Sequence, residues 1–174
     1  VKDCVLESRH LGLVMPEEIA DLHDKLMKLA EILERSVDID GLLELADGAE
    51  ELPVQEPLTG YHTKRSVRIA LAKDEAFCFF YQDNLELLEE MGAQLIPFSP
   101  IHDEKLPENI GGMLFHGGYP ELYAGQLSEN DAMRTAIREA VTDGLPTVAE
   151  CGGFLYLHTT LTDREGHSYP MVGV

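Results

Sequence analysis

Positive charge is scarce in this chain. Its 174 residues include 13 Lys and Arg against 32 Asp and Glu, which gives a formal net charge of -19. A protein of that charge repels the phosphate groups of nucleic acids and of anionic lipids. We therefore expect neither nucleic acid nor a membrane surface among its partners.

Cysteines and long apolar runs are also few. Cys4, Cys78 and Cys151 are odd in number and form no C-x-x-C pair, so the sequence indicates neither a disulfide framework nor a zinc knuckle. No apolar run approaches the roughly 20 residues that span a bilayer, and no basic-then-apolar signal segment stands at the start. These absences together predict a cytoplasmic protein.

The composition is nonetheless that of a folded domain. The chain is 44% hydrophobic and 26% charged and has no Ser-, Gln- or Pro-rich tract, which is typical of globular proteins. It begins at Val1 and ends at Val174 inside an apolar stretch. We expect it to be a piece of a longer protein.

The first 65 residues differ in pattern from the rest. Between Pro16 and Arg35 apolar residues recur at steps of three and four, as on one face of an amphipathic helix: Ile19, Leu22, Leu26, Leu29 and Leu33. A shorter helical pattern follows Asp38, and an acidic stretch with Gly and Pro comes next. We predict a helical segment over residues 1–46 and a linker over 47–65. Another domain, or a second copy in a homodimer, would cover the apolar face.

From Ser66 onward short aliphatic runs alternate with helical patterns. Strands are predicted over 67–72, 94–98, 113–115 and 147–149, and helices over 83–91, from a capping box at Ser128 and Asp131 to Gly144, and over 152–158. Strands that alternate with crossover helices form a mostly parallel sheet covered on both faces. Residues 66–174 are therefore predicted to form a three-layer α/β domain.

A cysteine between a strand and a helix is the clearest chemical signal. In Ala149-Glu150-Cys151-Gly152-Gly153-Phe154 a strand runs directly into a cysteine, two glycines and a helix. Glycines suit such a turn because a side chain would collide with nearby backbone, and the unpaired N–H groups of a helix start favour a thiolate. A lone cysteine is more often an inert buried residue. The strand-to-helix turn favours a nucleophile instead.

A glycine-containing loop follows the third predicted strand, in Phe115-His116-Gly117-Gly118-Tyr119-Pro120-Glu121. Ligands bind at the carboxyl edge of open parallel sheets, so this loop should face Cys151. The N–H groups of Gly117, Gly118 and Gly152 are then candidates for an oxyanion hole. An ordinary glycine turn is the alternative.

Several segments together resemble a known family. Gly117-Gly118-Tyr119-Pro120-Glu121-Leu122, Ala149-Glu150-Cys151-Gly152-Gly153 and the stretches 72–77, 81–85 and 98–107 resemble the glutaminase domain of cobyrinic acid a,c-diamide synthases. Glu7-Ser8-Arg9-His10-Leu11-Gly12-Leu13 is similar to a stretch late in the ATP-dependent synthetase domain of the same enzymes. The resemblance implies the end of a synthetase domain in 1–46 and a C-terminally truncated class I glutamine amidotransferase-like, flavodoxin-like domain in 66–174.

The resemblance also implies an activity. Enzymes of this family amidate the a and c carboxylates of cobyrinic acid in cobalamin biosynthesis, using glutamine, ATP and Mg²⁺. Cys151 corresponds to the nucleophile that releases ammonia from glutamine through a glutamyl thioester, and Gly117 and Gly118 to the oxyanion-side loop. The sequence contains no G-x-x-x-x-G-K-[ST] loop, and the family's catalytic histidine belongs beyond Val174. We expect this chain alone to hold no cofactor and to turn over no glutamine.

Three departures from the family pattern accompany the resemblance. His116 stands where the family usually has a third glycine, Glu7-Ser8 where it usually has Pro-Glu, and Cys78 where it often has Asn. A histidine at a strand end is more often a structural group than a base, so His116 is an unfavoured substitute for the distant histidine. His158 lies seven residues from Cys151, about 10 Å along a helix, which is too far.

Other ionisable residues allow more than one interpretation. Asp74 and Glu75 follow the first predicted strand, and in so acidic a chain we expect solvated carboxylates rather than parts of an active cleft. His167 is expected on the surface of a polar loop. The roles of Arg9 and His10 stay open.

Alternative functions also stay open. Within the family, the acceptor could be nickel-sirohydrochlorin or another carboxylate, because glutamine hydrolysis is common to all such enzymes. Outside it, the chain could be a catalytically silent docking or ligand-binding module, or a cysteine hydrolase or redox sensor. Alkylation by iodoacetamide separates the silent module from the enzymes, because an inert buried thiol resists it.

Overall fold

The computed structural model describes residues 4–6, 14–53 and 66–174, and for Glu17 the backbone alone. The chain divides into two compact units, Val1–Gln55 and Glu56–Val174. The segment 7–13, which resembles a synthetase domain, and residues 54–65 of the predicted linker lie outside the described residues. The proposed domain boundaries therefore stay a prediction.

The described part of the first unit contains two helices, α1 (Leu22–Ser36) and α2 (Ile39–Asp47), after a short 3-10 turn at Pro16–Glu18. The helix predicted to start near Pro16 begins later because Asp21 adopts a left-handed conformation with φ of 55°. The carboxylate of Asp38 caps α2 by accepting a hydrogen bond from the Gly41 N–H at 3.0 Å. Neither helix contains a buried residue, so the described part of this unit has no core of its own.

The second unit is an α/β domain, as predicted. Its elements are β1 (Val67–Ala72), α3 (Gln82–Glu90), β2 (Ala93–Phe98), β3 (Gly112–Phe115), α4 (Ala124–Glu129), α5 (Asp131–Thr142), β4 (Thr147–Ala149), α6 (Gly152–Leu157), β5 (Thr160–Thr162) and β6 (Ser168–Pro170). Strands β1 to β4 form one parallel sheet in the order β2-β1-β3-β4. The four predicted strands are thus confirmed.

The crossover connections that contain α3 and α5 cover opposite faces of this sheet. The chain moves in one direction across the sheet from β1 to β2 and in the other from β3 to β4, so right-handed crossovers place α3 and α5 on opposite sides. Side chains from the sheet, from α5 and from α6 share one core, which includes Ala70, Phe98, Met113, Phe115, Met133, Ile137 and Tyr156. Among the described residues, no helix has the length and apolar character needed to cross a membrane.

Two local features differ from the sequence prediction. Ser128 does not cap α5: it lies in α4, where its hydroxyl donates to the Gly125 carbonyl, and Asn130 caps α5 by accepting from the Met133 N–H at 3.2 Å. His167 is exposed in a polar loop, as expected, but this loop is the turn of an antiparallel hairpin whose strands, β5 and β6, were not predicted. Each of these strands has only three residues, which is too few for an apolar–polar alternation to identify it.

Close backbone contacts explain two of the glycines. A Cβ on Gly118 would overlap the carbonyl oxygen of Ala76, and a Cβ on Gly153 would lie 2.5 Å from the Cβ of Phe115. In each case the neighbour is fixed in the loop after β1 or in β3. No larger residue fits without moving one of these segments.

We predict that Gly118→Ala lowers the free energy of unfolding by about 2 kcal/mol or more, because the added methyl overlaps fixed backbone. Urea denaturation followed by circular dichroism measures this. The matched control is Gly125→Ala in α4, where a Cβ would meet only the Tyr169 ring at 3.8 Å. It should be neutral or stabilising by up to about 1 kcal/mol, because alanine favours helix. Equal midpoints for the two variants would contradict the packing described here.

Candidate functional site

The carboxyl edge of the sheet contains a point where the connections diverge. The chain leaves β1 towards β2 on one side, and it returns past β1 to place β3 on the other. The loops after β1 and β3 therefore leave adjacent strands in opposite directions. Such a point is where open α/β sheets form a ligand-binding crevice.

The loop after β1 is bonded to the loop after β3. Phe79 pairs with Gly117 in an isolated antiparallel bridge, and the Gly117 carbonyl accepts hydrogen bonds from the N–H groups of Cys78 and Phe79 at 3.2 and 3.1 Å. The Tyr119 N–H donates to the Ala76 carbonyl at 3.0 Å. These bonds fix the glycine loop against the loop after β1.

Cys151 lies directly beyond β4 in a strained conformation. Its φ of 48° and ψ of -112° are unusual for a residue with a side chain, and the residue is exposed. Conformations of this kind cost about 1–3 kcal/mol and persist only where the surrounding structure imposes them. Two hydrogen bonds from neighbouring residues impose it here: Glu150 N–H to the Phe115 carbonyl at 2.9 Å and Gly153 N–H to the His116 carbonyl at 3.0 Å.

The glycine loop and the cysteine elbow lie against each other. A Cβ on Gly117 would lie 3.6 Å from the Cβ of Cys151, and a Cβ on Gly152 would lie 3.1 Å from the Gly118 nitrogen. The structure thus brings together the four residues singled out from the sequence. An oxyanion hole formed by the N–H groups of Gly117, Gly118 and Gly152 stays a prediction.

Asp74 differs from the solvated carboxylate expected from the sequence. It is half-buried, and its Oδ1 accepts hydrogen bonds from the N–H groups of Ala76 and Phe77 at 2.9 and 3.2 Å. Its Oδ2 accepts from the Ser99 hydroxyl at 2.8 Å and from the Ile101 N–H at 3.0 Å. The carboxylate therefore joins the loops that follow β1 and β2.

Burial raises the pKa of Asp74, against the opposing effect of its four hydrogen bonds. The local signal for this role is an aspartate at a strand end that bonds to the backbone two residues later. Its partners after β2 stand 25 and 27 residues away in sequence, and no local pattern identifies them.

Glu75 is exposed, as expected. Both of its carboxylate oxygens lie 3.0 Å from His102 Nε2. This hydrogen bond raises the pKa of His102. Because both side chains are more than half exposed, the pair contributes little to stability.

The histidines near the elbow differ in their surroundings. His116 is buried, and its Nδ1 lies 3.8 Å from Glu150 Oε2. Burial lowers the pKa of His116, whereas Glu150 acts in the opposite direction. His158 follows α6 and packs edge-on against the Phe154 ring, with 4.8 Å between centroids.

A further group of ionisable side chains lies in the β5–β6 turn. Asp163, Glu165 and His167 each offer one side-chain atom that could ligate a metal ion, and these three atoms lie within 4.8 Å of one another. The Asp163 carboxylate already accepts hydrogen bonds from the N–H groups of Glu165 and His167, both at 2.9 Å. These bonds form the hairpin turn and account for the grouping without a metal ion.

Comparison with known proteins relates this site to one family. Residues 68–174 match the model of the CobB/CobQ-like glutamine amidotransferase domain. The matched range contains β1 except for its first residue, the glycine loop and the cysteine elbow.

Curated relatives match over nearly the whole chain. The chain is 44% identical to the cobyrinate a,c-diamide synthase of Dehalococcoides mccartyi, over 99% of this chain and 38% of that protein. It is 46% identical to the protein of the same name from Caldanaerobacter subterraneus, again over 99% and 38%, and 41% identical to that of a Synechocystis species, over 98% and 36%. The chain thus spans little more than a third of the length of these relatives.

We predict that Asp74→Asn destabilises the second unit by about 1–3 kcal/mol at pH 7, because an amide can accept at only one of the two oxygen positions. The loss should grow in acid: because the pKa of Asp74 is raised in the folded state, protonation of the carboxyl stabilises the folded wild type, whereas the amide does not titrate. Urea denaturation at pH 7 and pH 4 measures both effects. Glu75→Gln, an exposed control, should change stability by less than about 0.5 kcal/mol. Similar effects of the two substitutions would show that Asp74 does not join the loops.

Proposed function

The chain belongs to the family of CobB/CobQ-like glutamine amidotransferase domains, and from this membership we propose that it supplies ammonia from glutamine within a larger ligase. The observation that carries the proposal is the exposed Cys151, held in a strained elbow against the glycine loop at the crevice of the sheet. The names of the relatives support cobyrinate as the acceptor, amidated at its a and c carboxylates in cobalamin biosynthesis.

Cys151 is the proposed nucleophile. Its thiolate attacks the side-chain amide carbon of glutamine, and a carbon–sulfur bond forms as the carbonyl oxygen gains negative charge. Donors near this oxygen stabilise it, and the N–H groups of Gly117, Gly118 and Gly152 are proposed for that role. The carbon–nitrogen bond then breaks, the nitrogen takes a proton and leaves as ammonia. Water hydrolyses the glutamyl thioester to glutamate and restores the thiol.

The proton transfers require a general acid and base. The family resemblance assigns this role to a histidine beyond Val174, and none of the histidines described near the elbow has a geometry that replaces it. His116 is buried beside Glu150, and His158 packs on Phe154. We therefore propose that catalysis needs chain outside these 174 residues.

Activation of the acceptor is proposed for the rest of the protein. A carboxylate becomes reactive towards ammonia when ATP, bound with Mg²⁺, converts it to a better acyl donor. The sequence has no phosphate-binding P-loop, so no residue of this chain is assigned to ATP or magnesium. Nickel-sirohydrochlorin stays an alternative acceptor, because the glutaminase chemistry is independent of the acceptor.

We predict that Cys151→Ser, introduced into a protein of the relatives' full length, abolishes glutamine-dependent amidation and leaves ammonia-dependent amidation nearly intact. The reason is that the nucleophile only generates ammonia. Product formation with each nitrogen donor is followed by chromatography, with Cys4→Ser as the control that retains both activities. Equal loss with both donors would contradict the proposed separation of roles.

We also predict that the 174-residue chain hydrolyses glutamine at least about 10²-fold more slowly than the full-length protein, because general acid–base catalysis is worth roughly 10²–10⁴-fold. Glutamate release, measured with glutamate dehydrogenase, provides the comparison. Comparable turnover by the two would mean that a histidine within this chain, with His116 the first to test, serves as the base.

A further inference from the structure

His116 is a buried imidazole for which the proposed glutaminase chemistry has no role. The residue is only 7% exposed. Its Nε2 has no hydrogen-bond partner within the described part of the chain. A buried polar atom without a partner is costly. The other ring nitrogen, Nδ1, faces the Glu150 carboxylate at 3.8 Å, so the imidazole has one charged neighbour, and that neighbour precedes Cys151 directly.

The backbone of His116 also contacts the elbow. Its carbonyl accepts a hydrogen bond from the Gly153 N–H at 3.0 Å. The next residue, Gly117, borders the nucleophile, because a Cβ there would lie 3.6 Å from the Cβ of Cys151. His116 thus contacts the chain before and after Cys151.

We infer that His116 is a positioning residue for the Cys151 nucleophile, whose imidazole holds Glu150 beside the thiol and whose protonation is coupled to that of the thiol. This inference rests on the proposed role of Cys151 in glutamine hydrolysis. It assigns a function to a side chain at a position where the resembling family usually has glycine.

The charged groups around the imidazole set the direction of the coupling. Glu150 faces it from the elbow, and Phe80, in the segment after β1, packs edge-on against it with 5.5 Å between centroids. The Lys73 ammonium lies 5.4 Å from the centroid of that Phe80 ring. Because burial lowers the pKa of His116 below its ordinary 6.5, the ring is neutral at pH 7 and gains a positive charge only in acid. That charge favours the thiolate of Cys151.

The test is the rate of Cys151 alkylation by iodoacetamide between pH 5 and pH 8, measured on the 174-residue chain by peptide mass spectrometry. Cys4 and Cys78 serve as internal references. For an isolated thiol below its pKa, the rate rises tenfold per pH unit, because only the thiolate reacts. In the wild type the rise should be shallower where His116 titrates, because protonated His116 favours the thiolate.

Two variants test the coupling from both sides. His116→Asn keeps a donor towards Glu150 but bears no charge, so the full tenfold rise per pH unit should return. Glu150→Gln removes the carboxylate that favours the charged imidazole, so the shallow region should move to lower pH. Because Glu150 is largely exposed, this variant keeps the test valid even where His116→Asn fails to fold. His102→Asn, which removes an exposed imidazole, should leave the wild-type profile unchanged.

A rate of Cys151 alkylation that rises tenfold per pH unit over the whole range from pH 5 to pH 8 in the wild type would overturn the inference. The inference would also be overturned if the shallow region of the pH profile persisted in His116→Asn, or if Glu150→Gln did not shift that region to lower pH. These outcomes differ from failure of the proposed function, in which Cys151 reacts no faster than Cys4 and Cys78 at pH 7 in every variant.

Discussion

The close contact between the cysteine elbow and the end of β3 is the constraint on which the rest of the site depends. Cys151 is held at φ of 48° because the residues on either side of it bond to the backbone of Phe115 and His116. That approach leaves no space for a side chain at Gly153. The end of β3 is fixed because β3 belongs to the parallel sheet. The fold of the sheet therefore also determines where Cys151 is held.

The loops around the elbow are fixed by polar contacts. Asp74 bonds to the backbone of its own loop and to the loop after β2, and the loop after β1 in turn bonds to the glycine loop through Gly117. Movement of one loop therefore strains the others. Such support is what a nucleophile needs, because it has to be held at a defined distance from its substrate.

The sequence predicts most of the second unit because its signals there are local. Aliphatic runs mark the strands, and the cysteine with its glycines marks the elbow. Asp74 and His116 could not be interpreted in the same way, since their partners come from other strands and are brought near only by folding. The prediction of a capping box at Ser128 was wrong because Asn130, which lies directly before α5, caps this helix instead. The hairpin of β5 and β6 escaped prediction because each of its strands has only three residues.

Covalent labelling by a glutamine analogue that carries an electrophilic ketone in place of the amide tests the central claim most directly. Such a reagent combines recognition of glutamine with reaction at the nucleophile. In the full-length protein, peptide mass spectrometry should locate the label on Cys151, and excess glutamine should prevent the reaction. Labelling that is spread over Cys4, Cys78 and Cys151, or that glutamine does not slow, would contradict the assignment of the elbow as a glutamine-binding nucleophile.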